Sequence, residues 1–300
     1  MYLDDRQIQT FAAVADNGSF ERAAQRLHLT QSAVSQRLKQ LEERLGQLLI
    51  IRSQPLQLTP AGEQLLTYHR QQQLLQAELL AGFEQTFSGP GEMEGATRLA
   101  IALNADSLAT WFLPALRPLL GTLPILLDLR VSDQDQTQRF LRRGEVFGCI
   151  SASSEPLQGC SCKPLGVMSY RAVASPEFML RYFPAGVSAE ALRRAPAVDY
   201  DSDDALQRRY LQQRFGLGSG DYPRHRVPSP EAYLQLVEAG LGWGMVPDMQ
   251  SEALLSQGRL LELTPGHLQP VALFWHRLRL QSSRLQAVEE TLLNFAARHF

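Results

Sequence analysis

Apolar residues near the start of the chain recur at the spacing of short amphipathic helices. From residue 5 to residue 16 the apolar positions keep a helical period, and Gly18 ends it. Ser19 is placed to cap a second helix that runs to Leu27, and Thr30 to cap a third. The apolar positions of the third helix recur at intervals of four, three and four, at Val34, Leu38, Leu41 and Leu45. One side of this helix is therefore expected to face a core.

An extended stretch and one long helix are predicted next. Residues 48–58 indicate a small hairpin or wing, closed by Thr59-Pro60, a cap followed by proline at the first helical position. A helix from Pro60 to about residue 87 carries an apolar stripe at every fourth position, at Leu75, Leu79, Phe83 and Phe87. A lone helix cannot bury such a stripe, so we expect the same helix of a second chain against it. Ser88-Gly89-Pro90-Gly91 is expected to form a hinge.

After Gly95, short apolar strands alternate with helical segments. The predicted strands are Arg98–Leu103, Ile125–Val131, Val146–Ser151, Tyr170–Ala174, Ala197–Tyr200, Arg224–Val227, Trp243–Val246 and Val271–Trp275. The predicted helices are Leu108–Leu120, Gln134–Arg142, Ser188–Arg193, Asp204–Arg214, Pro230–Ala239 and Gln281–Arg298. This alternation predicts α/β architecture with mostly parallel sheets. Ligands of such sheets bind at the carboxyl ends of the strands.

Length and composition limit the class of protein. The 300 residues exceed one usual core, so two or three domains are expected. The first residues do not resemble a signal peptide, and no apolar run approaches the length of a membrane span, so we expect a cytoplasmic protein without membrane contact. Three clustered cysteines, Cys149, Cys160 and Cys162, favour reduced thiols over a metal or redox site. We expect neither a bound metal nor a cofactor.

The charge is distributed unevenly along the chain. The net charge is −2, yet residues 22–41 contain no carboxylate. This segment holds four cations, Arg22, Arg26, Arg37 and Lys39. Affinity for nucleic acid depends on such local charge rather than on the total.

The third helix carries the side chains that a DNA-reading helix needs. Amides and hydroxyls reach base edges while flanking cations hold phosphates. Its polar side presents Gln31, Ser32, Ser35 and Gln36, with Arg37 and Lys39 toward the backbone. Arg22 and Arg26 lie on the preceding helix, which crosses the phosphates in a helix-turn-helix. The alternative is the solvated face of an ordinary three-helix bundle, but the missing carboxylates favour DNA.

The segment FAAVADNGSFERAAQRLHLTQSAVSQRLKQLEERLGQLLIIR, with LTPAGEQLL after it, resembles the amino-terminal domain of the LysR-type transcriptional regulators. The resemblance implies a winged helix-turn-helix that binds a dyad-symmetric double-stranded operator. It also implies that Arg52 and Thr59 flank the wing and that five positions approach bases or phosphates, those matching Gln31, Ser32, Ser35, Gln36 and Arg37. Thr59 has an equal claim as a helix cap. The family usually has Phe before this Arg, where Ile51 stands here.

For the rest of the chain the family implies a two-subdomain α/β effector domain, similar to type 2 periplasmic binding proteins. The fold class expected is therefore α+β multidomain. We expect a DNA-binding domain over 1–59, a linker helix and hinge over 60–90, and an effector domain over 91–300. Within the effector domain, subdomain I would comprise 95–168 and 271–300, and subdomain II 169–270. The family assembles as homodimers or homotetramers.

The segments LAIALNADSLATWFLPAL, LRRGEVFGCIS, LTPG and FWHR resemble the ArgP-like branch of this family, which senses lysine and arginine and controls basic amino-acid transport. A basic amino acid offers a carboxylate, which suits a helix start, and cationic groups, which suit carboxylates. The candidate effector-binding residues at strand ends and helix starts are Asn104, Asp106, Ser107, Ser151, Asp201, Asp204 and Ser229, with Asp133 a weaker candidate. Each Asp or Ser could instead be only a helix cap.

Other functions are less consistent with the sequence. The glycines at 216–218 and 240–244 complete no phosphate-binding loop, and neither a GxSxG elbow nor an HExxH motif occurs, so we expect no enzyme. A solute-binding protein would lack the ninety amino-terminal residues. A regulator that responds to another small effector stays open. We expect the effector to close the two subdomains and so to change the spacing or angle of the paired recognition helices.

Overall fold

Three short helices pack around a small apolar core at the amino end. The computed structural model describes residues 4–84, 96–133, 136–201, 205–218 and 220–300. The helices are α1 Asp5–Asn17, α2 Phe20–Leu27 and α3 Gln31–Leu45. Side chains of Asp4, Ser19 and Thr30 accept backbone N–H groups at the three helix starts, as capping requires. The core of this unit includes Phe11, Val14, Ala23, Val34, Leu38 and Leu41.

A two-stranded wing follows the three helices and seats the linker helix. Strands β1 Ile50–Ile51 and β2 Gln57–Leu58 pair antiparallel. The linker helix α4, Pro60–Glu84, starts directly after the wing. Its Gly62 lies so close to the wing that a Cβ there would meet Leu49 O at 2.1 Å. A side chain at this position would push the helix away from the wing.

The remaining chain forms the effector domain, whose sheet has seven strands in the order β10-β6-β11-β5-β3-β4, with β9 also paired to β6. The strands are β3 Thr97–Leu103, β4 Ile125–Val131, β5 Gly148–Ser151, β6 Cys160–Ala174, β7 Ala197–Asp199, β8 Arg224–Arg226, β9 Gly244–Pro247, β10 Leu261–Glu262 and β11 Gln269–Leu278. The helices are α5 Ala105–Ser107, a π-helical turn Leu108–Phe112, α6 Leu113–Leu120, α7 Gln138–Arg142, α8 Pro176–Tyr182, α9 Ala189–Leu192, α10 Leu206–Phe215, α11 Pro230–Glu238, α12 Asp248–Ser256 and α13 Ser283–His299.

The prediction of mostly parallel sheets is wrong. Strand β3 does pair parallel with β4 and β5, and β7 with β8. The two longest strands, β6 and β11, however, pair antiparallel with each other; β11 also pairs antiparallel with β5, and β6 with β9 and β10. They cross between the two halves of the effector domain, so the sheet is mixed. Pro164 and Gly166 interrupt the pattern of β6, and the sequence therefore predicted only its last five residues.

The other predicted elements occur with small shifts, and some were missed. Helices α8 and α12 were not predicted. Each follows a strand directly, with Ser175 and Pro247 as the residues that precede the first helical position. The short strand β10 was also missed. The predicted starts at Gln134 and Asp204, the Ser88–Gly91 hinge, Phe87 and the side chain of Phe83 lie outside what the structure describes.

One continuous core joins both halves of the effector domain. Trp111, Trp243 and Trp275 are fully buried in it, and Leu74 of the linker helix belongs to the same cluster. Within the described ranges no helix combines the length and the apolar character needed to span a bilayer.

A buried carboxylate fixes helix α13 to the crossing strands. Glu289 of α13 accepts from Lys163 of β6 at 2.5 Å and from Arg277 of β11 at 2.9 Å. Burial alone would raise the pKa of Glu289, but the hydrogen bonds from Lys163 and Arg277 outweigh it and hold the pKa below its usual value. The folded state is therefore stabilised by the ionised carboxylate.

We predict that Glu289→Ala lowers the free energy of unfolding at neutral pH by about 2–3 kcal/mol, because it leaves the half-buried Arg277 without its carboxylate partner. Lys163 is half-exposed and contributes less. Since the pKa of Glu289 is lowered on folding, this stabilisation is present above the usual carboxyl pKa and is lost as pH falls through the folded value. Urea denaturation at several pH values measures it.

The control for this prediction is Glu290→Ala, which removes the exposed neighbouring carboxylate and should change stability little. Equal losses in the two variants would contradict the assignment.

Candidate DNA-binding face and effector cleft

Packing of α3 turns its carboxylate-free side toward solvent. Val34, Leu38 and Leu41 are buried against α1 and α2. On the opposite side Gln31, Ser32, Gln36 and Lys39 are exposed, and Ser35 and Arg37 are half-exposed. Ser32 is held by the hydroxyl of Thr30 at 3.0 Å, and Lys39 forms a surface pair with Glu43 at 3.6 Å. Predicted amides, hydroxyls and cations thus share one accessible face.

The flanking cations lie on the elements next to α3. Arg22 and Arg26 are exposed on α2. Arg52, in the wing, lies with its guanidinium 5.0 Å from the ring centroid of Phe20, which links the wing to the start of α2. These side chains extend the cationic surface beyond α3.

Two polar residues at the edge of this face form hydrogen bonds with the backbone of the wing and the linker helix. The hydroxyl of Thr59 donates to Leu48 O at 2.7 Å and accepts from Gly62 N at 3.1 Å, so it caps α4, as the alternative interpretation expects. The carboxylate of Glu42 accepts from Leu49 N at 2.8 Å and from Ile50 N at 3.3 Å. The first acidic residue after the carboxylate-free segment is thereby directed to the wing backbone.

A second group of predicted residues lies where β3 ends and a helical run begins. Asn104 and Ser107 are buried, and Asp106 is half-buried between them. In the described parts of the chain the buried hydroxyl of Ser107 has no hydrogen-bond partner. Buried polar atoms are usually paired, so this hydroxyl marks a place where a polar ligand group would be stabilised.

Three carboxylates from distant parts of the sequence act electrostatically on one tyrosine, Tyr200. The pKa of Tyr200 is raised, first by burial and then by the charges of Asp106, Asp201 and Glu231. Asp106 belongs to the first half of the effector domain, while Asp201 follows β7 and Glu231 begins α11 in the second half. The charges of the predicted Asp106 and Asp201 therefore act on the same tyrosine, although the two residues belong to different halves. A cluster of carboxylates there attracts a cation.

Sequence reasoning missed three residues of this cleft. Tyr170 of β6 donates from its hydroxyl to Asp106 Oδ2 at 2.9 Å, and so orients that carboxylate. Glu231 accepts from Ser229 Oγ at 2.9 Å. Tyr200 immediately precedes Asp201, so its position next to a candidate was the available signal. Nothing in the local sequence indicated Tyr170, because the crossing of β6 brings it to the site.

The other predicted effector residues are engaged locally. Ser229 caps α11 by accepting from Ala232 N at 3.3 Å, and its hydroxyl also donates to Glu231. Ser151, buried at the end of β5, accepts from Ser153 N at 3.1 Å. Asp133 lies after β4. Asp204 lies outside the described residues.

The three thiols are free and protonated at neutral pH. Burial raises the pKa of Cys149 to about 12 and also raises the pKa of Cys160 and of Cys162. The Cys162 thiol donates to Ser154 O at 3.4 Å and lies 3.7 Å from His276 Nε2. Among the residues with described positions, no group of three His, Cys, Asp or Glu is arranged to hold a metal ion.

Comparison with known proteins identifies the class. Residues 6–63 match the model of bacterial regulatory helix-turn-helix proteins of the lysR family, and residues 93–297 match the LysR substrate binding domain. The chain belongs to the LysR family of DNA-binding transcriptional regulators. This confirms the family resemblance, the expected fold class and the expected role as a regulator rather than an enzyme.

Particular relatives are similar over nearly the whole chain. The regulator ArgP of Aeromonas salmonicida is 44% identical over 99% of this chain and 97% of its own. The crystal structure of ArgP from Mycobacterium tuberculosis matches with a TM-score of 0.84 at 37% identity, covering 99% of this chain and 98% of its own. Full-length LysG from Corynebacterium glutamicum, described with bound effector Arg, matches with a TM-score of 0.77 at 32% identity, covering 99% of both chains.

We predict that Ser35→Glu weakens binding to specific DNA at least about tenfold, 1.4 kcal/mol, because it places an anion on the face that meets phosphates. Ser35→Ala is the matched control; it removes the hydroxyl without adding charge and should bind much closer to the unmodified chain. Fluorescence anisotropy with a duplex selected in vitro measures both. Equal affinities for the Glu and Ala variants would remove this face from the DNA interface.

Proposed function

We propose that this regulator binds lysine or arginine in the carboxylate-lined cleft and controls genes of basic amino-acid transport or metabolism. The observations that carry the proposal are the negative charges of Asp106, Asp201 and Glu231 acting on Tyr200, and the 2.9 Å hydrogen bond by which Tyr170 of the crossing strand β6 orients Asp106. A cationic ligand is attracted to carboxylates gathered in this way, because its charge offsets theirs. A neutral or acidic effector would not offset these charges.

The start of the helical run that contains Asp106 is the proposed position for the α-carboxylate of an amino acid. This run begins at Ala105, directly after β3, and backbone N–H groups at a helix start bind anions. The unpaired hydroxyl of Ser107 lies there as well. An α-carboxylate at this position and a cationic side chain near Asp201 would span the two halves of the effector domain. Asn104, Ser151, Asp204 and Ser229 stay secondary candidates.

The relatives support the same class of effector. Proteins named ArgP are 44% identical to this chain, and the LysG structure holds arginine on the same fold. The guanidinium group presents five hydrogen-bond donors in a planar fork, so it can bind two carboxylates at once. A site with three acidic side chains could therefore bind arginine through more than one of them. Lysine offers three donors on a flexible stem, and the cleft can satisfy either ligand.

For DNA, we propose that paired α3 helices read a dyad-symmetric double-stranded operator, in successive major grooves about 34 Å apart or a multiple of that distance. The proposed contacts are Arg22, Arg26, Gln31, Ser32, Ser35, Gln36, Arg37, Lys39, Arg52 and Thr59. Pairing requires a homo-oligomer, a dimer or a tetramer. The linker helix supports it, because Leu75 and Leu79 are 40% and 61% exposed along one stripe.

The domain boundaries proposed are 1–59 for DNA binding, 60–90 for the linker and 91–300 for the effector domain, divided into 95–168 with 271–300 and 169–270. The family models, which match 6–63 and 93–297, support this division. Because a bacterial operator lies in the cytoplasm, we place the regulator there.

The crossing strands suggest how the effector would act. The chain passes between the two halves of the effector domain near β6 and near β11. A ligand that bridges Asp106 and Asp201 would therefore draw the two halves together. Closure would move the linker helix and change the spacing or angle of the two α3 helices. A coupling free energy of about 1–3 kcal/mol between the two sites is typical of such regulation.

We predict that Asp201→Asn weakens arginine binding about 10- to 100-fold, because it removes one of the carboxylates that compensate the bound cation. DNA affinity without arginine should stay within about twofold. Glu190→Gln, an exposed carboxylate in the same half, is the matched control and should leave both affinities unchanged. Isothermal titration calorimetry with arginine and with lysine measures the effect. Unaltered affinity in Asp201→Asn would remove Asp201 from the site.

A further inference from the structure

One face of the linker helix packs against the effector domain of its own chain. Its contact positions follow helical spacing, with intervals of four, three, four and four, at Glu63, Thr67, Arg70, Leu74 and Glu78. This face differs from the exposed stripe of Leu75 and Leu79 that serves pairing. The linker helix therefore carries two separate sets of contacts.

Arg70 is the residue at which three parts of the chain meet. One guanidinium nitrogen donates to the carbonyl oxygen of Gly144 in the effector domain at 3.0 Å. The other donates to Asp16 Oδ1 of α1, in the DNA-binding domain, at 2.7 Å. The Arg70 side chain is 24% exposed, so solvent only partly screens the pair. The planar guanidinium fixes the directions of both bonds together.

The turn at Gly144 is shaped for this contact. Gly144 has φ +60°, and a Cβ at this position would lie 2.0 Å from Thr67 Oγ1. Glycine thus allows both the left-handed turn and the close approach to α4. The neighbouring Arg143–Glu63 pair, at 3.5 Å, is exposed and contributes little to the stability of this contact.

The other end of the contact face is anchored at α13. Leu74 is 3% exposed within the effector-domain core. The carboxylate of Glu78 accepts from the hydroxyl of Ser282 at 2.5 Å and from the backbone N–H groups of Ser283 and Arg284, at the start of α13. A carboxylate at a helix start is stabilised by the helix dipole. The carboxyl-terminal half of the linker helix is thereby fixed to the effector domain.

A short helix connects the Gly144 turn to the effector cleft. Helix α7 ends just before the turn, and Thr137 at its start donates to Ile150 O at 2.6 Å. Ile150 precedes Ser151, which ends β5 on the side of the cleft. After the turn, Phe147 N donates to Ala100 O of β3, the strand that leads to Asp106. Hydrogen bonds thus connect the strands β3 and β5 to the two sides of the Gly144 turn.

We propose that Arg70 is a positioning residue that couples the effector domain to the DNA-binding domain through Gly144 and Asp16. This inference rests on the proposed function. The state of the cleft sets the position of the Gly144 turn, Arg70 follows its carbonyl oxygen, and Asp16 follows Arg70. Neither Arg70 nor Gly144 is among the proposed contacts to DNA or to the amino acid.

The test measures the ratio of DNA dissociation constants with and without saturating arginine, in the full chain, on a duplex selected in vitro against the unmodified protein. Coupled sites typically give a ratio of about 5 to 150 in either direction. In Arg70→Met and in Gly144→Ala the ratio should fall to within about twofold of one. Each variant should still bind arginine and DNA separately, within about threefold of the unmodified chain.

Matched controls separate coupling from stability. Gly258 has φ +69° with nothing within 4 Å of a Cβ, so Gly258→Ala carries the same backbone strain as Gly144→Ala without the steric contact. Arg117→Met removes an exposed arginine. Both controls should keep the ratio of the unmodified chain. A merely structural role of Arg70 would lower the unfolding temperature and leave the ratio unchanged.

Asp16→Asn tests the hydrogen bond between Arg70 and the DNA-binding domain. If Arg70 acts through Asp16, the double variant Arg70→Met with Asp16→Asn should have the same ratio as Arg70→Met alone. An unchanged ratio in Arg70→Met would overturn the inference while leaving the proposed function intact. Failure of the unmodified chain to bind arginine would instead overturn the proposed function, and the inference with it.

Discussion

The burial of one side of α3 is the constraint from which the function of this regulator follows. Val34, Leu38 and Leu41 lie against the two preceding helices, so the polar residues between them have to face outward. Because residues 22–41 contain no carboxylate, that outward face could meet phosphates without repulsion, as the proposed DNA contact requires. The same packing ties the orientation of the face to α1, and through Asp16 and Arg70 to the effector domain.

In the effector domain, the residues that stabilise the fold differ from those proposed to bind the effector. Its crossing strands are fixed from one side by α13, through Glu289 and its two cations. The cleft side instead gathers like charges, with Asp106, Asp201 and Glu231 around Tyr200. In the proposed mechanism a bound cation offsets these charges and so favours closure of the two halves. Sites that bind ligands commonly carry such locally unfavourable arrangements, which the rest of the fold compensates.

The sequence predicted best where local signals determine the structure. Caps at Ser19 and Thr30 and the period of α3 were sufficient for the DNA-binding domain. The effector domain was harder, because antiparallel crossing of β6 and β11 depends on pairing between residues 99 to 118 positions apart. For the same reason Asp106 and Asp201 could be suggested as strand-end residues, while Tyr170 and Glu231 could not. The Arg70 contact was also hidden, since its partners are 54 and 74 positions away.

The central claim is that the carboxylate-free face of α3, with the cations around it, lies against duplex DNA. The salt dependence of DNA affinity tests it most directly, because each phosphate contact releases counterions. The four cations of residues 22–41 in each head, Arg22, Arg26, Arg37 and Lys39, make eight in a pair of heads. They predict that log K falls with log salt concentration with a slope of about −7, at about −0.9 for each contact. A slope shallower than about −1 would contradict the account.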